Sequence, residues 1–413
     1  MTNPVTFLKK VTNQNDLSQF LKRKRLELGL KLEDLSEGVC SSSYLSRIEN
    51  NVVEASETYY KALFEKMNIN YETLTKERSR NLYHELLEAY LSSNYEEMDN
   101  LVNHALSSNS YAETEIELMV LFYNIITKRY LEVRDAIVKL DEISENLNNT
   151  ELLFYLYACA LYSYATNQNV KAYKQILVLT SIQFDDIFFE ACIYDLGIKI
   201  MFNVGMNTLA LKYYLHFEKI SRTPVFNNSL CMNKMMLLTI DADVDYDLTL
   251  SNYLACSKYL KLENEEVKAF YLYHLGLIYY YNKDYEKLYE LLINERLNAK
   301  TCMLLACSAY NIHNYDIVNK VMNKIKTYVF TKYEKMYKDF VVYIQMYFNN
   351  DSDYILINYL RNVLIVKSNY YDFFLEKTLE IEYVKKALAT SKYKEGLKFI
   401  NKYLTESIHE KLK

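Results

Sequence analysis

The chain has 413 residues, half of them hydrophobic, with 42 Tyr, no Trp, six Gly, two Pro and a net charge of −5. That length exceeds one ordinary domain and supplies ample apolar material for a core, so two or more domains are expected. Sheet proteins need many turn residues, so the scarcity of Gly and Pro excludes them and predicts an all-α chain of helices joined by Asn, Asp and Lys loops.

In chain order, the opening MTNPVTFLKK lacks a signal-peptide core, and no stretch of the chain reaches the roughly 18 uncharged apolar residues of a membrane span. No membrane partner is therefore expected. Residues 17–28 (LSQFLKRKRLEL) predict a first helix, with Leu17, Phe20, Leu21 and Leu28 as an inner stripe and Lys22–Arg25 as a basic one. Residues 29–51 (GLKLEDLSEGVCSSSYLSRIENN) predict two short helices with a tight turn at Gly38. Leu32 and Leu35 share a face of the first, Leu45 and Ile48 a face of the second, and Ser41 or Ser42 can cap the second. A fourth helix follows over 56–67, with Ser56 as its cap. Two helices joined so tightly, the second presented N-terminus first, are the plan that enters a DNA major groove.

Residues 1–70 carry ten Lys and Arg against nine Asp and Glu, so the acidic excess lies in the remainder. Lys9, Lys10, Lys22, Arg23, Lys24, Arg25 and Lys31 nevertheless face only Asp16 and Glu27 among the first 31 residues. A local basic face suffices for phosphate contacts, while an acidic body discourages non-specific DNA. Ser42, Ser43, Tyr44 and Arg47 point away from the Leu45/Ile48 stripe, toward the groove. Arg47 suits guanine O6/N7 or a phosphate, Tyr44 a thymine methyl or a phosphate, and the serines either role. Lys22, Arg23, Lys24 and Lys31 would hold the phosphate backbone. Reading two half-sites requires two copies, hence a homodimer on double-stranded DNA.

The wording LSEGVCSSSYLSRIEN resembles the Xre/Cro-type helix-turn-helix family. In that family an arginine of the first helix pairs with the glutamate ending the reading helix, which implies Arg25 with Glu49. An exposed pair of that kind would add little net stability.

Residues 70–80 (NYETLTKERSR) carry charge but no apolar stripe and read as a linker and hinge. From about residue 80 a pattern recurs: a long apolar helix, a short polar break, then a second helix. The breaks centre on Tyr95, Tyr130, Val170, Met206, Tyr246, Tyr285, Tyr315, Tyr354 and Tyr393. Their spacing of about 37 residues is similar to that of tetratricopeptide repeats, and Leu272–Leu288 fits that family best. There Gly276, with no side chain, lets a neighbouring helix approach; Leu196 and Gly197 repeat the pair. Hairpins of this kind cannot bury their faces alone, so about nine would stack over 81–413 into a right-handed solenoid with a concave groove.

A helix-turn-helix over 1–70 ahead of such repeats is similar to the layout of the Rgg–Rap–NprR–PlcR–PrgX (RRNPP) group, with general similarity leaning to its RstA-like members. The resemblance implies a cytoplasmic, homodimeric transcription regulator of quorum-sensing type on a palindromic operator, with sporulation or toxin genes among its targets. It implies a short signalling peptide in the repeat groove; a Rap-like adaptor that does not bind DNA is the alternative. Repeat geometry places Tyr194, Lys234, Tyr273, Tyr280, Tyr310 and Asn311 on the concave wall, where rigid tyrosines and a clamping amide suit a peptide. Nothing supports catalysis: the six histidines stand singly, no glycine-rich phosphate loop occurs, and the seven cysteines lack zinc-ligand spacing. No catalytic residue, metal or cofactor is assigned, and the chain does not read as an enzyme.

Overall fold

The structure is a computed structural model. It describes residues 16–392 apart from 79–80, 145–146, 183, 185, 242–244, 261 and 366–371, together with 394 and 397. Among the described residues the regular elements are all helical, and no helix is long and apolar enough to cross a membrane. The chain divides into two compact units, 1–162 with 181–183, and 163–180 with 184–413.

The first unit opens with α1 (Asp16–Glu27), α2 (Leu32–Ser36), α3 (Ser42–Glu49), α4 (Glu57–Lys66) and α5 (Tyr71–Arg78). Phe20, Leu21, Leu35, Leu45, Ile48, Leu63 and Phe64 close their shared core. Leu28, expected on the inner stripe, is instead 53% exposed, because α1 ends at Glu27 and the chain turns there. Gly38 has φ +72°, the left-handed conformation that the α2–α3 turn requires. The expected linker is also corrected. Residues 71–78 form a helix whose single aliphatic residue, Leu74, is fully buried in the bundle core, with Tyr71 packed against it.

The same unit continues with α6 (Leu82–Leu91), α7 (Tyr95–Ser107), α8 (Glu113–Ile126), α9 (Tyr130–Ile143) and most of α10 (Asn149–Ala165). Arg78 donates from Nη2 to Glu115 at 2.9 Å, and its guanidinium lies 4.5 Å from the Phe20 ring centre. Ala112, at the start of α8, belongs to the bundle core. Through residues 71–78 and Ala112, the bundle and the first hairpins are packed together.

The second unit holds α11 (Asn169–Leu179), α12 (Ile187–Asn203), α13 (Asn207–Ile220), α14 (Asn227–Leu238), α15 (Tyr246–Ser257), α16 (Glu265–Tyr281) and α17 (Tyr285–Ile293). It ends with α18 (Ala299–Ile312), α19 (Tyr315–Ile325), α20 (Lys335–Phe348), α21 (Asp353–Tyr359) and α22 (Phe373–Ala389). The first helices of successive hairpins pack on one another, α16 on α18 and α18 on α20.

The breaks share one turn chemistry. Ser93, Lys128, Asn167, Gly205, Lys283 and His313 each have positive φ two residues before the second helix begins. At most of them the next amide reaches back to the carbonyl five residues earlier, as from Asn94 to Ala89 and Asp284 to Tyr279. Tyr95, Tyr130, Tyr246, Tyr285 and Tyr315 are thus the first residues of second helices. The break at Tyr393 lies outside the described residues.

A Cβ on Gly276 would stand 3.0 Å from a methyl of Leu288 on α17 and 3.0 Å from one of Leu304 on α18. Gly276→Val therefore overpacks a filled site and is expected to cost about 1–3 kcal/mol, read as a lower urea midpoint.

His274 is buried among Phe202, Phe270 and Tyr273, with ring centres at 5.6, 4.3 and 5.0 Å, and its Nδ1 has no partner among the described residues. Burial, followed by the charge of Lys300, pushes its pKa well below the usual imidazole range. The unfolded chain then binds a proton that the folded chain refuses. That contribution to stability is full above about pH 6.5 and falls by up to about 1.4 kcal/mol per pH unit below it. Thermal melts between pH 7.5 and 5.5 should show a steeper acid loss for the wild type than for His274→Phe.

Candidate nucleic-acid interface

Helix α3 is held from both ends. Ser41 caps it, its hydroxyl accepting from the Tyr44 amide at 3.2 Å. Leu45 and Ile48 anchor its inner side, both fully buried. At its end Glu49 accepts from Arg25 Nε at 2.7 Å and Nη2 at 2.8 Å, while Arg25 Nη1 donates to the Leu30 carbonyl at 2.8 Å. Arg25 and Glu49 are both buried, which makes this an interior two-point ion pair and not the exposed one for which little stability was expected. The hydrogen bonds that Arg25 donates to Glu49 raise its pKa further, so its charge is fixed.

The α2 end is held as well. Lys66 on α4 donates to the carbonyls of Asp34 at 3.1 Å and Leu35 at 3.3 Å, and also to that of Glu37. These are carbonyls that a short helix leaves without partners, and a lysine ammonium there also suits the helix dipole. Sequence reasoning missed Lys66 because nothing local to residue 66 signals a contact with residues 34–37.

The outer face of α3 presents Ser43 and Arg47, both exposed and four residues apart, hence on one side of the helix. Ser42, Tyr44 and Ser46 are half-buried, and Lys31 is exposed. Tyr44 packs against the bundle, its ring 5.4 Å from that of Tyr59, so only part of it faces outward.

The basic run divides. Lys22 donates to Asn50 Oδ1 at 2.9 Å, bringing a cation to the end of α3. Lys24 pairs with Glu27 at 2.9 Å and lies along α1. Arg23, expected to hold the phosphate backbone, is turned the other way: it forms a two-point pair with Glu151 on α10, Nη2 to Oε2 at 2.8 Å. Burial of Glu151, 1% exposed, requires that partner, and residue 151 is too distant in sequence for periodicity to reveal it.

The residues expected on a peptide wall lie in the second unit, and they differ in fate. Lys234 is exposed. Tyr194 is half-buried, edge-on to Tyr213 at 5.1 Å and 4.3 Å from the His216 ring. Tyr273 is corrected: it is 5% exposed and belongs to the core. Tyr280 packs edge-on to Phe374 at 5.0 Å, and Tyr310 donates to Glu382 at 2.7 Å. Asn311 spends its amide on its own helix, donating to the Cys307 carbonyl at 2.8 Å. Near Tyr310 a cavity of about 410 Å³ opens between the α18–α19 and α20–α21 turns, lined in part by His313, Tyr347, Phe348 and Asp351.

Residues 21–74 match the helix-turn-helix family model. The sequence matches none of the curated proteins. Among solved structures, the chain resembles Bacillus thuringiensis PlcR in complex with the peptide PapR7 and DNA, with 17% identity, 62% of this chain and 96% of that one covered, and a TM-score of 0.38. It also resembles phAimR, with 14% identity over 89% of this chain and 96% of that one and a TM-score of 0.45. The N-terminal segment is a helix-turn-helix domain, and helical hairpins follow it.

Proposed function

We propose that this chain is a sequence-specific DNA-binding transcription regulator of the RRNPP type. It acts as a cytoplasmic homodimer on a palindromic operator, under control of a short signalling peptide held on the inner face of the hairpin array. The observation that carries the DNA half is the open outer face of a rigidly held α3. Ser43 and Arg47 are both exposed on it, and Lys31 with Lys22, held beside the end of α3 by Asn50, would meet the phosphates.

Peptide on the array would act by population shift. Small rotations between stacked hairpins add up, and the spacing of the two reading helices across the dimer follows them. Recovery of chromosomal fragments bound to the wild-type chain, compared with an Arg47→Ala/Ser43→Ala control, tests the proposal. A set of palindromic fragments lost in the control is expected. No enrichment over the control would leave a protein-binding adaptor as the better description.

A further inference from the structure

Helix α22 crosses the first helices of three hairpins with a single stripe of side chains. Phe374 lies edge-on to Tyr280 and Tyr281 of α16, at 5.0 and 6.0 Å. One turn on, Thr378 is buried and donates from its hydroxyl to the Phe374 carbonyl of its own helix at 2.9 Å. The next in the stripe, Glu382, accepts from Tyr310 of α18 at 2.7 Å and from Tyr343 of α20 at 3.3 Å. Lys386 donates to Asp353 at 2.8 Å, its ammonium 4.8 Å from the Tyr347 ring centre. These four residues are spaced by four and so share one face. Ahead of them, Asp372 caps the helix and accepts from Tyr337 at 2.8 Å, and the Phe373 ring fills the space a Cβ on Gly205 would need.

This stripe is polar where a permanent core is apolar. Thr378, Glu382 and Lys386 are all buried, whereas Leu375, Leu379 and Tyr383 beside them form an ordinary apolar seam. Burying a carboxylate and an ammonium costs desolvation that well-packed apolar side chains would avoid. Polar burial of this kind is characteristic of surfaces that also exist apart. The tyrosines that α22 engages, Tyr280 and Tyr310, are those whose repeat positions suit a peptide.

We propose that α22 is a tethered occupant of the peptide-binding face, an intramolecular competitor that an external peptide must displace. This rests on the reading that the inner face of the array binds a peptide. The ligand it fits presents an aromatic ring, a carboxylate and an ammonium in that order to the same tyrosines and Asp353.

The test uses the full chain and a fluorescent synthetic peptide with the sequence of residues 372–389. Glu382→Ala/Lys386→Ala loosens the tethered copy, so this variant should bind the probe at least tenfold more tightly than the wild type, and Tyr310→Phe added to it should reduce that gain. Equal probe affinity in wild type and loosened variant, with both melting cooperatively, would overturn the proposal. Should the loosened variant not fold, hydrogen exchange on the wild type decides. Amides of α22 exchanging at least tenfold faster than those of α18 and α20 sustain a displaceable helix, and equal protection overturns it. Probe binding that leaves operator affinity unchanged would sustain the tethered helix and remove only the peptide-responsive reading.

Discussion

Arg47→Ala combined with Ser43→Ala should weaken operator binding by about 30-fold or more while leaving the fold intact. Both side chains are exposed on α3, and neither supports the bundle. Each bidentate arginine–guanine contact discriminates by about 1–3 kcal/mol, and a dimer makes it twice, giving about 2–6 kcal/mol. A gel-shift titration at fixed salt, with a melt to verify the fold, measures this. Operator affinity within threefold of wild type would mean that another surface reads the sequence.

Glu49→Ala is expected to act on stability instead, at about 3–5 kcal/mol. It leaves the Arg25 guanidinium, 7% exposed, without the carboxylate that neutralises it. The Leu30 carbonyl accepts from only one of its nitrogens and cannot compensate for a lost charge. Replacing both partners at once, Arg25→Met with Glu49→Leu, should recover most of the loss, because the cost lies in the orphaned charge and not in the missing attraction. Urea unfolding of the two variants separates these effects; equal losses in both would show that the pair contributes through packing alone.

Much of this organisation was legible in the sequence because it is local. The Leu45/Ile48 spacing, Gly38 and the recurrent breaks each need only neighbours along the chain, and tyrosines such as Tyr95 and Tyr285 do open second helices. What was not legible depends on distant partners. Arg23 looked like part of a basic face because Glu151 lies 128 residues away. Leu74, the one aliphatic residue in a charged stretch, gave no periodicity, yet with Tyr71 it seats α5 on the bundle. Tyr280 and Tyr310 occupy positions expected to face inward, but the sequence does not say that α22 packs on them. In a chain with 42 tyrosines, a groove position and a packing position carry the same residue.

The salt dependence of operator binding tests most directly whether the α3 face lies along a duplex. Lys31 and Lys22 from each of two protomers would release counterions at about four phosphates, so affinity should fall roughly 100-fold between 50 and 200 mM salt. The Arg47→Ala variant should show a log–log slope shallower by about 2 where Arg47 meets phosphate, and loss of operator preference where it meets guanine. An affinity that does not change over that salt range, or an operator bound no better than a scrambled duplex, would contradict the account.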